Sequence, residues 1–130
     1  MGKTYLFVCE KCDYRVAVAG GFSEGCDLKV QTVRCRDCRA LYDCVIELRH
    51  NSPRPLWKRV NAMPEDIRPN LASALNRLPV GSSDALACST FAPRCPVDET
   101  HRIELWTTPG RCPKCRAFME RGALPFRLWD

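Results

Sequence analysis

Ten of the 130 residues are cysteine, and six of them stand in C-x-x-C pairs. Two residues between thiolates allow a tight turn to aim both sulfurs at one cation, with backbone N–H groups nearby that stabilise the negative charge. Two such turns supply the four ligands of a tetrahedral zinc site. The pairs are Cys9/Cys12, Cys35/Cys38 and Cys112/Cys115.

The first two pairs have the spacing of a single metal site. They are separated by 22 residues, close to the spacer of about 15–20 residues in four-cysteine zinc sites. Residues 4–8 and 29–33 are β-prone runs that lead into the turns, and residues 14–18 and 41–48 are β-prone runs that leave them. We therefore expect Cys9, Cys12, Cys35 and Cys38 to bind one ion between two hairpins.

This arrangement over residues 4–48 resembles a zinc ribbon, in which two knuckles at the ends of antiparallel hairpins hold one zinc ion. The first knuckle, followed by Asp13 and Tyr14, is also similar to a rubredoxin knuckle, whereas the second lacks the C-P-x-C-G form of that family. The resemblance implies structural zinc. Its alternative is a one-iron electron-transfer site, which would colour the protein red.

The third pair needs two further ligands, and the C-terminal third offers three candidates. Cys95 precedes a proline, as Cys112 does, and His101 lies between them. We expect a second site formed by Cys95, His101, Cys112 and Cys115. Cys88 stays open as the alternative to His101, because imidazole and thiolate both satisfy tetrahedral zinc.

Residues 95–115 also resemble the small heavy-metal-binding domain of bacterial cation-export proteins, which has the pattern C-P…H…P-G-x-C-P-x-C. That resemblance implies a metal-handling accessory protein as a further alternative. Val97 stands where that family has methionine. Loss of the thioether ligand favours structural zinc over the exchange of soft metals.

Two further local patterns concern the cysteines. Residues 35–42 align with residues 112–119, because in both a C-x-x-C turn is followed by Arg-Ala and two large apolar residues. We therefore expect the same knuckle geometry twice. Cys44 lies in an apolar strand pattern and is expected to be a packed side chain.

The middle of the chain differs from both ends. Pro53 and Pro55 mark a connector, and an apolar stripe predicts a first helical turn over residues 64–68 and a helix over residues 70–78. The expected fold is a small β-rich (α+β) metal-stabilised one: a zinc-ribbon lobe over residues 1–50, a Pro-rich helical connector over 51–86, and a second zinc-knuckle lobe over 87–130.

Charge gives a weak indication of the partner. The formal net charge of +5 falls to about +2 once seven thiolates and two Zn²⁺ ions are counted. A local basic patch nevertheless predicts possible contacts with nucleic acid. Its residues are Arg34, Arg36, Arg39, Trp57, Lys58 and Arg59.

These features together favour a binding module over an enzyme. Four-ligand zinc sites leave no open position for an activated water, and the chain has only two histidines and no Walker A or H-E-x-x-H motif. We expect a cytoplasmic, non-catalytic adaptor with two zinc ions, a protein or nucleic-acid partner, no membrane association and no small-molecule substrate. The cytoplasm is expected because residues 1–12 have no secretory-signal pattern, and in that reducing compartment ten cysteines are expected to be metal ligands or redox groups and not a disulfide framework.

Overall fold

The computed structural model describes residues 2–25, 28–49 and 88–129, which form antiparallel β-strands joined by turns and loops. Within these ranges there is no helix, and so no helical segment long and apolar enough to cross a bilayer. The predicted antiparallel, β-rich fold is confirmed, whereas the predicted helical connector lies outside the described residues. The strands are β1 (Gly2–Val8), β2 (Arg15–Val18), β3 (Phe22–Glu24), β4 (Leu28–Cys35), β5 (Ala40–Arg49), β6 (Cys88–Thr90), β7 (Ile103–Leu105), β8 (Glu120–Arg121) and β9 (Arg127–Trp129).

The first sheet is built around β1. Strand β2 returns along one edge after the first C-x-x-C turn, so that Val8 lies opposite Arg15. On the other edge β8 pairs with the end of β1, where Phe7 lies opposite Arg121, and β9 pairs with its beginning. The first strand of the chain is thus bordered by its last two.

The second sheet is built around β4 in the same way. Strand β5 pairs along the whole of β4 after the second C-x-x-C turn, and β6 extends the sheet beyond β5. Strands β3 and β7 share the other edge of β4, β3 opposite residues 29–31 and β7 opposite residues 33–35. Strand β7 therefore places the loop before it beside the second C-x-x-C turn.

This pairing changes the predicted organisation of the chain. Both sheets combine strands from residues 2–49 with strands from residues 88–129. The prediction of two lobes that each form their own sheet around their own ion is wrong, because β8 and β9 pair with β1 and β7 pairs with β4. The boundaries at residues 50 and 87 stay predictions.

Two apolar clusters form the core of the described residues. One packs Leu28, Val30, Val45 and Leu48 of the second sheet with Trp129 of β9. The other surrounds the first knuckle and the third. In it the Phe7 and Trp106 rings meet edge to face, with centroids 5.1 Å apart, a geometry that aromatic quadrupoles favour. Its buried members are Phe7, Cys9, Val18, Leu41, Trp106, Cys112 and Met119.

A buried polar network joins the two sheets. The Asp43 carboxylate of β5 accepts the Ala19 N–H, at 2.9 Å from one oxygen and 3.1 Å from the other, and the Thr32 hydroxyl at 2.6 Å. The Thr32 oxygen in turn accepts the N–H groups of Gly20 and Gly21. These glycines have φ angles of 80° and 144°, a conformation open to glycine and strained for other residues. The turn after β2 is thereby fixed against the second sheet.

Candidate metal centres

The three C-x-x-C turns have one backbone geometry. In each, the residue after the second cysteine donates its N–H to the carbonyl of the first cysteine at 2.9 Å. That residue has a left-handed conformation every time, with φ angles of 62° for Asp13, 54° for Arg39 and 67° for Arg116. The geometry predicted to be shared by residues 35–42 and 112–119 is confirmed, and the first turn shares it as well.

Backbone N–H groups point at the sulfurs of these knuckles. Cys38 N–H lies 3.3 Å from Cys35 Sγ, and Lys114 N–H lies 3.4 Å from Cys112 Sγ. In the first knuckle the N–H of Cys12 is the largest cause that lowers the pKa of Cys9, to about 7. Hydrogen bonds to the charged form favour thiolate, and thiolate is the form that binds metal.

The first centre combines the first and third knuckles. Cys9 Sγ lies 3.3 Å from Cys115 Sγ, and Cys12 Sγ lies 3.5 Å from Cys112 Sγ. All four sulfurs lie within 4.8 Å of one another. Cys9 and Cys112 are fully buried, whereas Cys12 is exposed, so the centre has one dry side and one side open to solvent.

The second centre combines the second knuckle with the loop before β7. His101 Nδ1 lies 3.6 Å from Cys35 Sγ, 3.4 Å from Cys38 Sγ and 3.6 Å from Cys95 Sγ. Cys38 Sγ and Cys95 Sγ are 3.7 Å apart. Burial is the main cause that raises the pKa of Cys95, to about 11, so in the absence of a cation this buried sulfur holds its proton.

The distances between donor atoms in the second centre match the edges of a coordination tetrahedron. Bond lengths of about 2.3 Å to sulfur and 2.0–2.1 Å to nitrogen place two sulfurs about 3.8 Å apart, and a sulfur and a nitrogen about 3.5 Å apart. The three sulfur-to-nitrogen distances, 3.4–3.6 Å, agree with that figure. The donor atoms of the second centre therefore surround a point at which one tetrahedral ion fits.

The structure groups the eight predicted ligands differently from the sequence spacing. Spacing joined the first knuckle to the second and the third knuckle to Cys95 and His101, and that pairing is wrong. Strand β8, which follows the third knuckle, pairs with β1, so the third knuckle lies beside the first. Strand β7 begins two residues after His101 and places Ile103 opposite Cys35.

Residues 95–115, which resemble a heavy-metal-binding domain, are divided between the two centres. Cys95 and His101 belong to one, and Cys112 and Cys115 to the other, so this segment does not form a single site of its own. Cys88, the alternative to His101, begins β6, and the structure describes only its backbone. His101 completes the set of four at the second centre.

Two side chains that the sequence patterns did not single out contact the second centre. Burial raises the pKa of the Tyr42 hydroxyl, and the neighbouring Cys38 thiol raises it further. Asp98 accepts the Thr100 N–H at 2.9 Å and lies 3.9 Å from His101 Nε2. A carboxylate behind the imidazole helps to orient the ring and favours the tautomer whose other nitrogen faces the metal.

Of the residues predicted to contact nucleic acid, the described ones lie together. Arg34, Arg36 and Arg39 line one groove, whereas Trp57, Lys58 and Arg59 lie outside the described residues. The sequence missed Lys114 and Arg116, which line the same groove from the third knuckle. The groove lies between the second and third knuckles, which are far apart in the sequence, so spacing alone does not predict it.

Fold and donor atoms define a β-rich protein with two cysteine-rich clusters of the metal-binding type. Comparison of the chain with protein-family models, with curated proteins and with solved structures found no match.

The grouping of ligands is testable by counting metal in double variants. Cys9→Ser with Cys112→Ser removes two ligands from the same centre, so we expect one zinc ion to remain at the other. Cys9→Ser with Cys35→Ser damages both centres, and we expect none to remain. Elemental analysis of the purified variants measures how many zinc ions each one keeps. One ion in Cys9→Ser with Cys35→Ser and none in Cys9→Ser with Cys112→Ser would instead support a site that contains both Cys9 and Cys35.

Proposed function

We propose that this protein is a non-catalytic interaction module whose fold is stabilised by two structural zinc ions. The observation that carries the proposal is the presence of two complete sets of four donor atoms, each set within 4.8 Å. Four thiolates, or three thiolates and an imidazole, are the donor sets of structural zinc, and four protein ligands leave no position for a substrate or water.

The surroundings of the donors also fit a structural role. Three of the four cysteines of the first centre, Cys9, Cys112 and Cys115, pack in an apolar cluster with Phe7 and Trp106. The second centre joins β4 to the loop before β7. In a chain with small sheets, metal binding supplies free energy that a limited core cannot, about 10–16 kcal/mol per structural zinc site in peptides.

Metal content and spectra test this proposal. We expect two zinc ions per chain after purification without added metal, by elemental analysis. Cobalt replacement is expected to give the intense visible absorption of tetrahedral thiolate coordination at both centres, with a higher thiolate share at the first. Protein that is folded and free of metal would contradict the proposal.

One observation favours a second candidate for the first centre. Its partner knuckle is Cys112-Pro113-Lys114-Cys115, which has the C-P-x-C form absent from the second knuckle. A four-cysteine centre made of two C-x-x-C knuckles, one of them with the C-P-x-C form, suits one iron ion as well as zinc. Red protein with one iron per chain, reversibly bleached by a reductant, would assign electron transfer to this centre instead.

A further inference from the structure

A strongly basic groove lies between the second and third knuckles. It encloses about 250 Å³. Its lining consists of five cationic side chains and one proline: Arg34, Arg36, Arg39, Lys114, Arg116 and Pro113. The two knuckles belong to different clusters, so each cluster positions one wall of the groove.

Most of this positive charge is not neutralised within the groove. The Glu104 carboxylate is shared by two cations, at 3.0 Å from Arg34 Nη2 and in an ion pair with Arg36. Arg39 Nη2 donates to the Lys114 carbonyl at 2.9 Å, which orients its guanidinium across the gap between the knuckles. Five cationic side chains face one carboxylate in this lining. Zinc bound by four thiolates carries −2 and zinc bound by three thiolates and an imidazole carries −1, so positive charge exceeds negative charge at the groove by less than four.

Two planar side chains of the third knuckle lie outside the groove lining but are linked to Arg116, which belongs to that lining. Arg111 Nη1 donates to the Arg116 carbonyl at 3.2 Å, and its guanidinium lies 4.7 Å from the centre of the Phe118 ring. Phe118 is 60% exposed. Aromatic rings and guanidinium planes beside a basic groove are the surfaces on which unpaired bases stack.

We propose that this groove binds single-stranded nucleic acid, with phosphates held by the five cations and a base stacked beside Phe118. The proposal deepens the proposed function by naming the class of partner, and it rests on both metal centres being occupied. Guanidinium groups match phosphate with paired N–H donors. The lining has no large apolar side chain to anchor a peptide, which favours nucleic acid over an acidic protein segment.

Two groove residues with left-handed backbone conformations allow charge to be removed without disturbing the fold. Arg39 and Arg116 have positive φ angles, so replacing both with glycine removes two cations and relieves backbone strain at the same time. We expect Arg39→Gly with Arg116→Gly to keep two zinc ions and the thermal stability of the unaltered protein. Any loss of binding then reports on charge and not on folding.

The experiment is a titration of labelled oligothymidylate by fluorescence anisotropy, at several salt concentrations from about 50 to 200 mM. We expect the double-glycine variant to bind at least about tenfold more weakly at the lowest salt, and the magnitude of its salt slope to fall by about 1.4, for two lost contacts with a single strand. Unchanged affinity and slope would overturn the proposal.

Two control variants isolate the groove. Asp13→Gly makes the same backbone change at the third left-handed position, in the knuckle that does not line the groove. Lys3→Ser with Arg15→Ser removes two exposed cations from the first sheet. Both are expected to bind within a factor of about two of the unaltered protein, and equal weakening by the second control would overturn the assignment to this groove.

Competition experiments identify the class of partner, and zinc counts distinguish failure of this inference from failure of the proposed function. A DNA duplex or polyglutamate that displaces the oligothymidylate at equal or lower concentration would overturn single-stranded nucleic acid as the partner. Zinc is counted in the same samples. Two zinc ions without binding would overturn only this inference, whereas folded protein without zinc would overturn the proposed function itself.

Discussion

Replacement of Cys112 with serine is expected to release one zinc ion and to unfold both ends of the described fold together. Cys112 is fully buried at the first centre, within the apolar cluster around Phe7 and Trp106. A structural zinc site contributes about 10 kcal/mol or more, as much as the whole stability of a typical domain, about 5–15 kcal/mol. Circular dichroism and elemental analysis of the purified variant measure the two effects.

Cys44→Ser is the matched control for this result. Cys44 is also a buried cysteine, but its sulfur contacts the Arg94 carbonyl at 2.8 Å and belongs to neither centre. Serine can keep that hydrogen bond, so we expect two zinc ions and a cooperative unfolding transition. Two zinc ions retained in Cys112→Ser would instead show that Cys112 is not a required ligand.

The second large effect concerns the carboxylate between the sheets. Asp43→Ala leaves the Ala19 N–H and the Thr32 hydroxyl without their acceptor in a buried setting. An unsatisfied buried donor costs about 1–3 kcal/mol, so we expect the free energy of unfolding to fall by about 3 kcal/mol. Urea unfolding monitored by tryptophan fluorescence measures the loss.

Two further variants show whether this loss arises from the buried network. Asp37→Ala removes an exposed carboxylate that accepts one backbone N–H, from Arg102 at 3.0 Å, and is expected to cost less than about 1 kcal/mol. Thr32→Val combined with Asp43→Ala should cost less than the sum of the single changes, because the two residues share a hydrogen bond. Full additivity would contradict a coupled network, and loss of zinc from Asp43→Ala would reassign the effect to the metal centres.

Local chemistry in the sequence was enough to find the eight donor residues and the principal strands. A C-x-x-C turn defines its own geometry within a few residues, which is why residues 35–42 and 112–119 were recognised as alike. The runs at residues 4–8 and 29–33 are rich in β-branched or aromatic residues, and they lie within β1 and β4. Such patterns involve only residues close together in the chain, so one sequence is enough to identify them.

The grouping of the donors was not predictable from spacing, because it depends on strands that lie far apart in the chain. No local pattern states that β8, a two-residue strand, pairs with the end of β1. One overlooked signal did exist for the buried network. In β5, alternation places Asp43 on the same side as Leu41 and Val45, and a carboxylate on an apolar face needs hydrogen-bond donors.

The interleaving of the two ends has a consequence for how the protein is made. Cys9 and Cys115 are separated by 106 positions, and Cys35 and His101 by 66. During synthesis on a ribosome, the second centre is therefore complete first, whereas Cys9 and Cys12 wait as an open half-site until Cys115 has emerged. The first C-x-x-C turn therefore meets its partner cysteines only after the second cluster is complete, so the first sheet and its cluster are assembled after strands β8 and β9 have been translated.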